Sequence, residues 1–118
     1  MSKYILYHNP RWGKSRGVVS LLNESKINYT VVEYLKNPLD VDIVLSLSKK
    51  LGLNPGEFVR KNEIDFKENK LENVIDDNYK MAESISKFPN IMERPILVKG
   101  EKAVIGRPPE NILKIVKE

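Results

Sequence analysis

The succession of strand-like and helix-like stretches at the start of the chain restricts its fold more than any other feature. Tyr4 to Tyr7 is a short β-prone run, broken by His8-Asn9-Pro10. Lys14 to Ser25 follows, with Val18, Val19, Leu21 and Leu22 marking one face of a helix. Tyr29 to Tyr34 is rich in β-branched and aromatic residues and is closed by Asn37-Pro38. Strand, helix and strand in that order predict a parallel βαβ unit.

From Asp40 the pattern turns helical. Asp40 is a good N-cap, Val41, Val44, Leu47 and Leu51 recur at helical spacing, and Gly52 stands where a C-terminal glycine belongs. Asn54-Pro55 reads as a cap with proline at the first helical position, opening a shorter helix that carries Phe58, Val59 and Arg60. Residues 63 to 74 are highly charged and give weak signals. Asp76-Asp77 opens a further helix with Met81, Ala82 and Ile85 on its inner face, ended by Phe88-Pro89. After Arg94-Pro95, Ile96-Leu97-Val98 is a strand, Lys99 to Lys102 a turn and Ala103-Val104-Ile105 the returning strand of an antiparallel hairpin. Gly106-Arg107-Pro108-Pro109 then starts a last helix, with Ile112, Leu113 and Val116 packed inward.

The order βαβ, helical insertion, ββα is that of an α/β thioredoxin-like fold, a mixed four-stranded sheet with helices on its faces. The expected organisation is one domain over residues 1–118, with halves at about 1–36 and 92–118 and the insertion at about 39–90. The 118 residues suffice for one core, and the 41% hydrophobic and 31% charged shares are those of a globular chain. No apolar run approaches the ~20 residues of a bilayer crossing, and Met1 to Tyr7 lacks a secretory leader, so the expected location is the cytoplasm and no membrane partner is expected. The 20 basic and 16 acidic residues leave a net charge of +4. That charge can steer small anions but is spread too evenly for a nucleic-acid footprint.

The chain contains no cysteine, which removes disulfides, zinc thiolates and every thiol reaction of its own side chains. No metal site is expected. In the predicted fold, the loop Asn9 to Lys14 lies at the carboxyl end of the sheet, where binding sites form. The stretch His8-Asn9-Pro10-Arg11-Trp12-Gly13-Lys14-Ser15-Arg16 brings helix-start N–H groups and basic side chains to one spot, the outline of an anion site; a plain solvated loop is the alternative.

Tyr7-His8-Asn9-Pro10, Lys14-Ser15-Arg16, Val32-Glu33-Tyr34-Leu35-Lys36, Glu93-Arg94-Pro95-Ile96 and Gly106-Arg107-Pro108-Pro109-Glu110 together resemble the glutaredoxin-coupled arsenate reductase family, from about Tyr4 to Val116. The resemblance implies a first-loop cysteine that attacks arsenate, three arginines that hold the oxyanion, and reduction to arsenite completed by glutathione and glutaredoxin. The matching arginines are Arg60, Arg94 and Arg107, whose planar, permanently charged forks suit a tetrahedral oxyanion. Pro95 matches the cis-proline of thioredoxin-like folds. The position that matches the cysteine is Trp12. Indole cannot replace a thiolate, and a serine ester of arsenate at Ser15 would hydrolyse without reducing the metalloid.

Each candidate also has a structural reading. His8, the lone histidine, either holds a strand end or tunes the loop, Ser15 either satisfies helix-start N–H groups or does chemistry, and the arginines pair on the surface or hold an anion. The expected function is therefore that of an arsenate-reductase relative without its nucleophile, retaining a pocket for arsenate, phosphate or sulfate. It binds no cofactor, and glutaredoxin is a partner by resemblance only. Two alternatives stand beside it: a protein-interaction module like the transcription regulators of this fold, and a genuine reductase lineage in which Trp12 is a variant.

Overall fold

The computed structural model describes residues 4–8 and 13–116, without the side chains of residues 13–15. The chain divides into two compact units, one of Met1–Tyr34 with Arg94–Glu118 and the other of Leu35–Glu93.

The first unit holds the sheet. Strands β1 (Tyr4–Tyr7), β2 (Tyr29–Val32), β3 (Ile96–Lys99) and β4 (Lys102–Ile105) lie in the order β2-β1-β3-β4. β1 and β2 are parallel, with Tyr4 opposite Tyr29 and Tyr7 opposite Val32. β3 runs antiparallel to both β1 and β4, with Tyr7 opposite Ile96 and Ile96 opposite Ile105. This is the mixed α/β sheet of a thioredoxin-like fold. β2 ends two residues before the β-prone run does. β4 begins at Lys102, so the hairpin loop shrinks to Gly100 and Glu101, with Gly100 supplying the positive φ of 60° that such a tight turn needs.

Helix α1 (Gly13–Glu24) forms because Val18 and Leu22 recur at i and i+4. Both are fully buried and pack with Leu6 of β1, Leu97 of β3, Ile112 and Ile115 into the unit's core. The terminal segment is less regular than expected: a 3-10 turn over Pro109–Ile112 precedes a single α-helical turn. Ile112 and Ile115 are its buried residues, whereas Leu113 and Val116 are half-buried, because the 3-10 start rotates the face presented to the sheet.

The second unit is helical. Helix α2 (Val41–Leu51) is capped by Asp40, whose side chain accepts from the Ile43 N–H at 2.9 Å, and ends at Gly52 with φ 71°. Helix α3 (Ile64–Glu68) and a 3-10 turn over Leu71–Val74 occupy the charged stretch, each with one buried anchor, Phe66 and Leu71. Helix α4 (Asn78–Lys87) starts at Asp77, which accepts from the Lys80 N–H, and packs Met81, Ala82 and Ile85 inward. The expected helix after Pro55 stops at Glu57 as one 3-10 turn. Phe58 to Arg60 instead leave the helical path and lie beside Ile91 to Glu93: Val59 forms an isolated bridge with Met92, the Arg60 N–H donates to Ile91 O, and the Glu93 N–H donates to Phe58 O. The β-prone pair Phe58-Val59 finds a bridging partner distant in sequence at Met92, and that contact overrides the local helix signal.

Candidate functional site

The carboxyl ends of β1, β2 and β4 and the amino end of β3 meet at one end of the sheet. Extending each register by one residue gives a row across it: Glu33, His8, Pro95 and Gly106. Two backbone hydrogen bonds fix the row, from the His8 N–H to Val32 O at 3.0 Å and from the Gly106 N–H to Pro95 O at 2.8 Å. With strands spaced about 4.8 Å apart, His8 has Glu33 on one side and Pro95 on the other. Arg94 and Arg107 are the next residues beyond Pro95 and Gly106, so the sheet brings both arginines to this same end. Helix α1 also begins here.

Gly106 is required by close approach. A Cβ at this position would stand 2.6 Å from Val18 Cγ2 and 3.1 Å from Pro95 Cγ, so only glycine lets β4 leave the sheet against α1. Beyond it, the Asn111 side-chain amide donates to Arg107 O at 2.9 Å and to Ile105 O at 3.3 Å, which ties the Arg107 loop to the end of its own strand. The Arg94-Pro95 and Arg107-Pro108 peptide bonds are both cis. The sequence reading considers a cis bond at Pro95 and does not anticipate the one at Pro108.

Charge and burial make this end unusual. Arg94 is only 3% exposed and Arg107 half-buried. The forked donors of a guanidinium suit a tetrahedral oxyanion, whose oxygens they can meet two at a time. His8 is 7% exposed, and its Nδ1 is buried with no hydrogen-bond partner among the described residues. Burial pushes the imidazole below its ordinary value, and the Glu33 carboxylate opposes that shift without cancelling it, so His8 is neutral at pH 7. Burial likewise raises the Tyr7 hydroxyl, which stays protonated and able to donate.

Not every candidate falls in this unit. Arg60 lies in the helical unit, half-buried, just after the Val59 bridge, with its N–H donating to Ile91 O. Trp12 and the loop from Asn9 lie outside the described residues, as does the Ser15 side chain, although Ser15 itself belongs to the first turn of α1. Among the described residues no cluster of histidine, aspartate and glutamate can hold a metal ion, and no helix is long and apolar enough to cross a membrane. The sequence reading misses that Glu33 neighbours His8 across the strands. Its signal lay in the β1–β2 register, which no local pattern encodes.

The ArsC family model matches residues 7–115. An uncharacterized protein of Escherichia coli is 41% identical over 118 residues, spanning 98% of this chain and 99% of that protein. A protein of Neisseria meningitidis named arsenate reductase is 39% identical over 113 residues, covering 95% of this chain and 97% of its own length. Among solved structures, an arsenate reductase from Vibrio cholerae superposes with a TM-score of 0.91 at 33% identity, covering 97% of this chain and 98% of that one.

Proposed function

Because the chain belongs to the ArsC family, we propose that it binds a small tetrahedral oxyanion, arsenate or phosphate, at the sheet end that carries Arg94 and Arg107, without performing thiol chemistry of its own. The convergence of these two arginines on one end of the sheet, in a chain with no cysteine, carries the reading. The two guanidiniums bind and orient the anion, the neutral His8 offers an uncharged polar group beside it, and the start of α1 adds the positive end of a helix dipole.

Reduction of arsenate to arsenite takes two electrons, which a cysteine thiolate passes on through an arsenic–sulfur bond and a mixed disulfide. No side chain here can cycle electrons in that way, and Trp12 occupies the position that matches the nucleophile. The protein is then an oxyanion-binding member of a reductase family, and glutathione and glutaredoxin find no cysteine sulfur on it with which to exchange. Arg60 is the third arginine on the family pattern, and Arg60→Met tests its contribution separately.

The test is arsenite formation in the presence of glutathione and glutaredoxin. The wild-type chain should give no arsenite above the protein-free blank, and Trp12→Cys should produce it with both reductants present. Arsenite made by the wild-type chain refutes the reading. A folded Trp12→Cys chain that binds arsenate and stays inactive shows that more than the nucleophile separates it from a reductase.

A further inference from the structure

We infer that His8 makes this site selective for an oxyanion that carries a proton, hydrogen phosphate or hydrogen arsenate, over the unprotonated sulfate. The inference rests on the oxyanion reading above and goes beyond it by naming which anions the site accepts.

The geometry comes first. His8 is fixed by its backbone hydrogen bond to Val32 O in the row that Pro95 and Gly106 continue, and Arg94 and Arg107 follow those two residues. Its imidazole is nine-tenths buried, and no residue described here bonds to Nδ1. A neutral imidazole offers one donor and one acceptor. Glu33, at the neighbouring position on the β2 side, acts on the imidazole through its charge, and the buried Nδ1 is the ring atom left open for a ligand. The arginines and helix-start N–H groups are donors and can satisfy only bare oxygens. A ligand hydroxyl needs an acceptor in the same site, and the imidazole lone pair provides it. Burial, which keeps His8 neutral, preserves that acceptor at working pH.

Sulfate has the same shape and no proton to give. Bound here, it sets an oxygen lone pair against the imidazole lone pair, and a site built to hydrogen-bond a hydroxyl rejects an analogue that lacks one. Proton-bearing phosphate or arsenate meets no such opposition. No covalent bond to the ligand forms or breaks; the proton stays on the ligand oxygen and is shared only through a hydrogen bond.

Calorimetric titration with inorganic phosphate and with sodium sulfate at about pH 8 tests this, because His8 is then neutral and both anions carry mainly two negative charges. The wild-type chain should bind phosphate at least about tenfold more tightly than sulfate, the ratio of one hydrogen bond gained or lost. In His8→Phe the ratio should fall to near one, and His8→Gln, which keeps an amide acceptor, should retain part of it. Circular dichroism and the thermal midpoint check that both variants fold, and a wild-type ratio near one overturns the inference even where they do not. Equal binding of the two anions by the wild-type chain overturns the inference while leaving the oxyanion site standing, as does a preference unchanged in a folded His8→Phe. Binding of neither anion overturns both.

Discussion

Substituting Gly106 by alanine probes the packing that delivers Arg107 to the end of the sheet. The new Cβ would stand 2.6 Å from Val18 Cγ2, about 0.9 Å inside an ordinary carbon contact, and 3.4 Å from Ile112 Cγ2. Val18 is fully buried against Leu6, Leu22 and Leu97, so it cannot swing aside without meeting another core side chain. Either its χ1 leaves the rotamer well, costing about 0.5–1.5 kcal/mol, or α1 shifts, and overpacking of this kind typically costs about 1–3 kcal/mol. Alanine restricts the unfolded chain and returns about 0.4–1 kcal/mol. The net expectation is a loss of about 1–2 kcal/mol, or a thermal midpoint lower by about 4–8 °C for a domain of this size.

Urea denaturation of wild type, Gly106→Ala, Val18→Ala and the double variant measures this directly. Val18→Ala is itself destabilising, by about 2 kcal/mol for the two lost methyl groups and the cavity. It also removes the atom that the new Cβ strikes, so the double variant should be more stable than the sum of the single losses implies, by about 1 kcal/mol. A Gly106→Ala chain as stable as wild type, or losses that add within about 0.3 kcal/mol, would refute the close-approach argument.

Two further predictions concern other parts of the molecule. Asp40→Ala deletes the side-chain acceptor of the Ile43 N–H at the start of α2 and should cost about 1 kcal/mol by urea denaturation, with Asp40→Asn costing much less. For His8, the folded value lies below the ordinary 6.5, so just below pH 6.5 the unfolded chain binds more protons than the folded one. The stability associated with neutral His8 is present above that pH and is lost as the pH falls towards the folded value. Denaturation midpoints should decline through this window in wild type and flatten in His8→Phe; a slope of the opposite sign would contradict the assignment.

How far the fold was legible depended on whether a signal was local. The β1, α1, β2 start and the β3–β4 hairpin were readable because β-branched runs, helical spacing and turn residues lie within a few positions of one another. α2 was legible from its caps, Asp40 and Gly52, and α4 from Asp77 and the spacing of Met81, Ala82 and Ile85. The stretch from residue 63 to 74 was not, because α3 and the turn after it bury one anchor each, too few for a period to emerge. The helix expected over Phe58 to Arg60 fails for a related reason: their path depends on contacts with Ile91 to Glu93, some thirty residues later.

The site divides in the same way. Arg60, Arg94 and Arg107 stood out because three of the chain's five arginines fall on the positions that the family resemblance assigns to the oxyanion. That Arg94 and Arg107 reach one end of the sheet follows from registers between strands far apart in sequence. The neighbourhood of Glu33 and His8, and the steric need for Gly106, were invisible for the same reason: each is a contact across the sheet or between sheet and helix.

The measurement that tests the central claim most directly is a titration with arsenate followed by the fluorescence of Trp12, the sole tryptophan, and repeated by calorimetry, on wild type and Arg94→Met. Saturable binding by the wild-type chain, weakened at least about tenfold in a folded Arg94→Met, is the result expected for an anion held by a buried guanidinium. No saturable binding at millimolar arsenate, or binding that Arg94→Met leaves unchanged, would contradict the account.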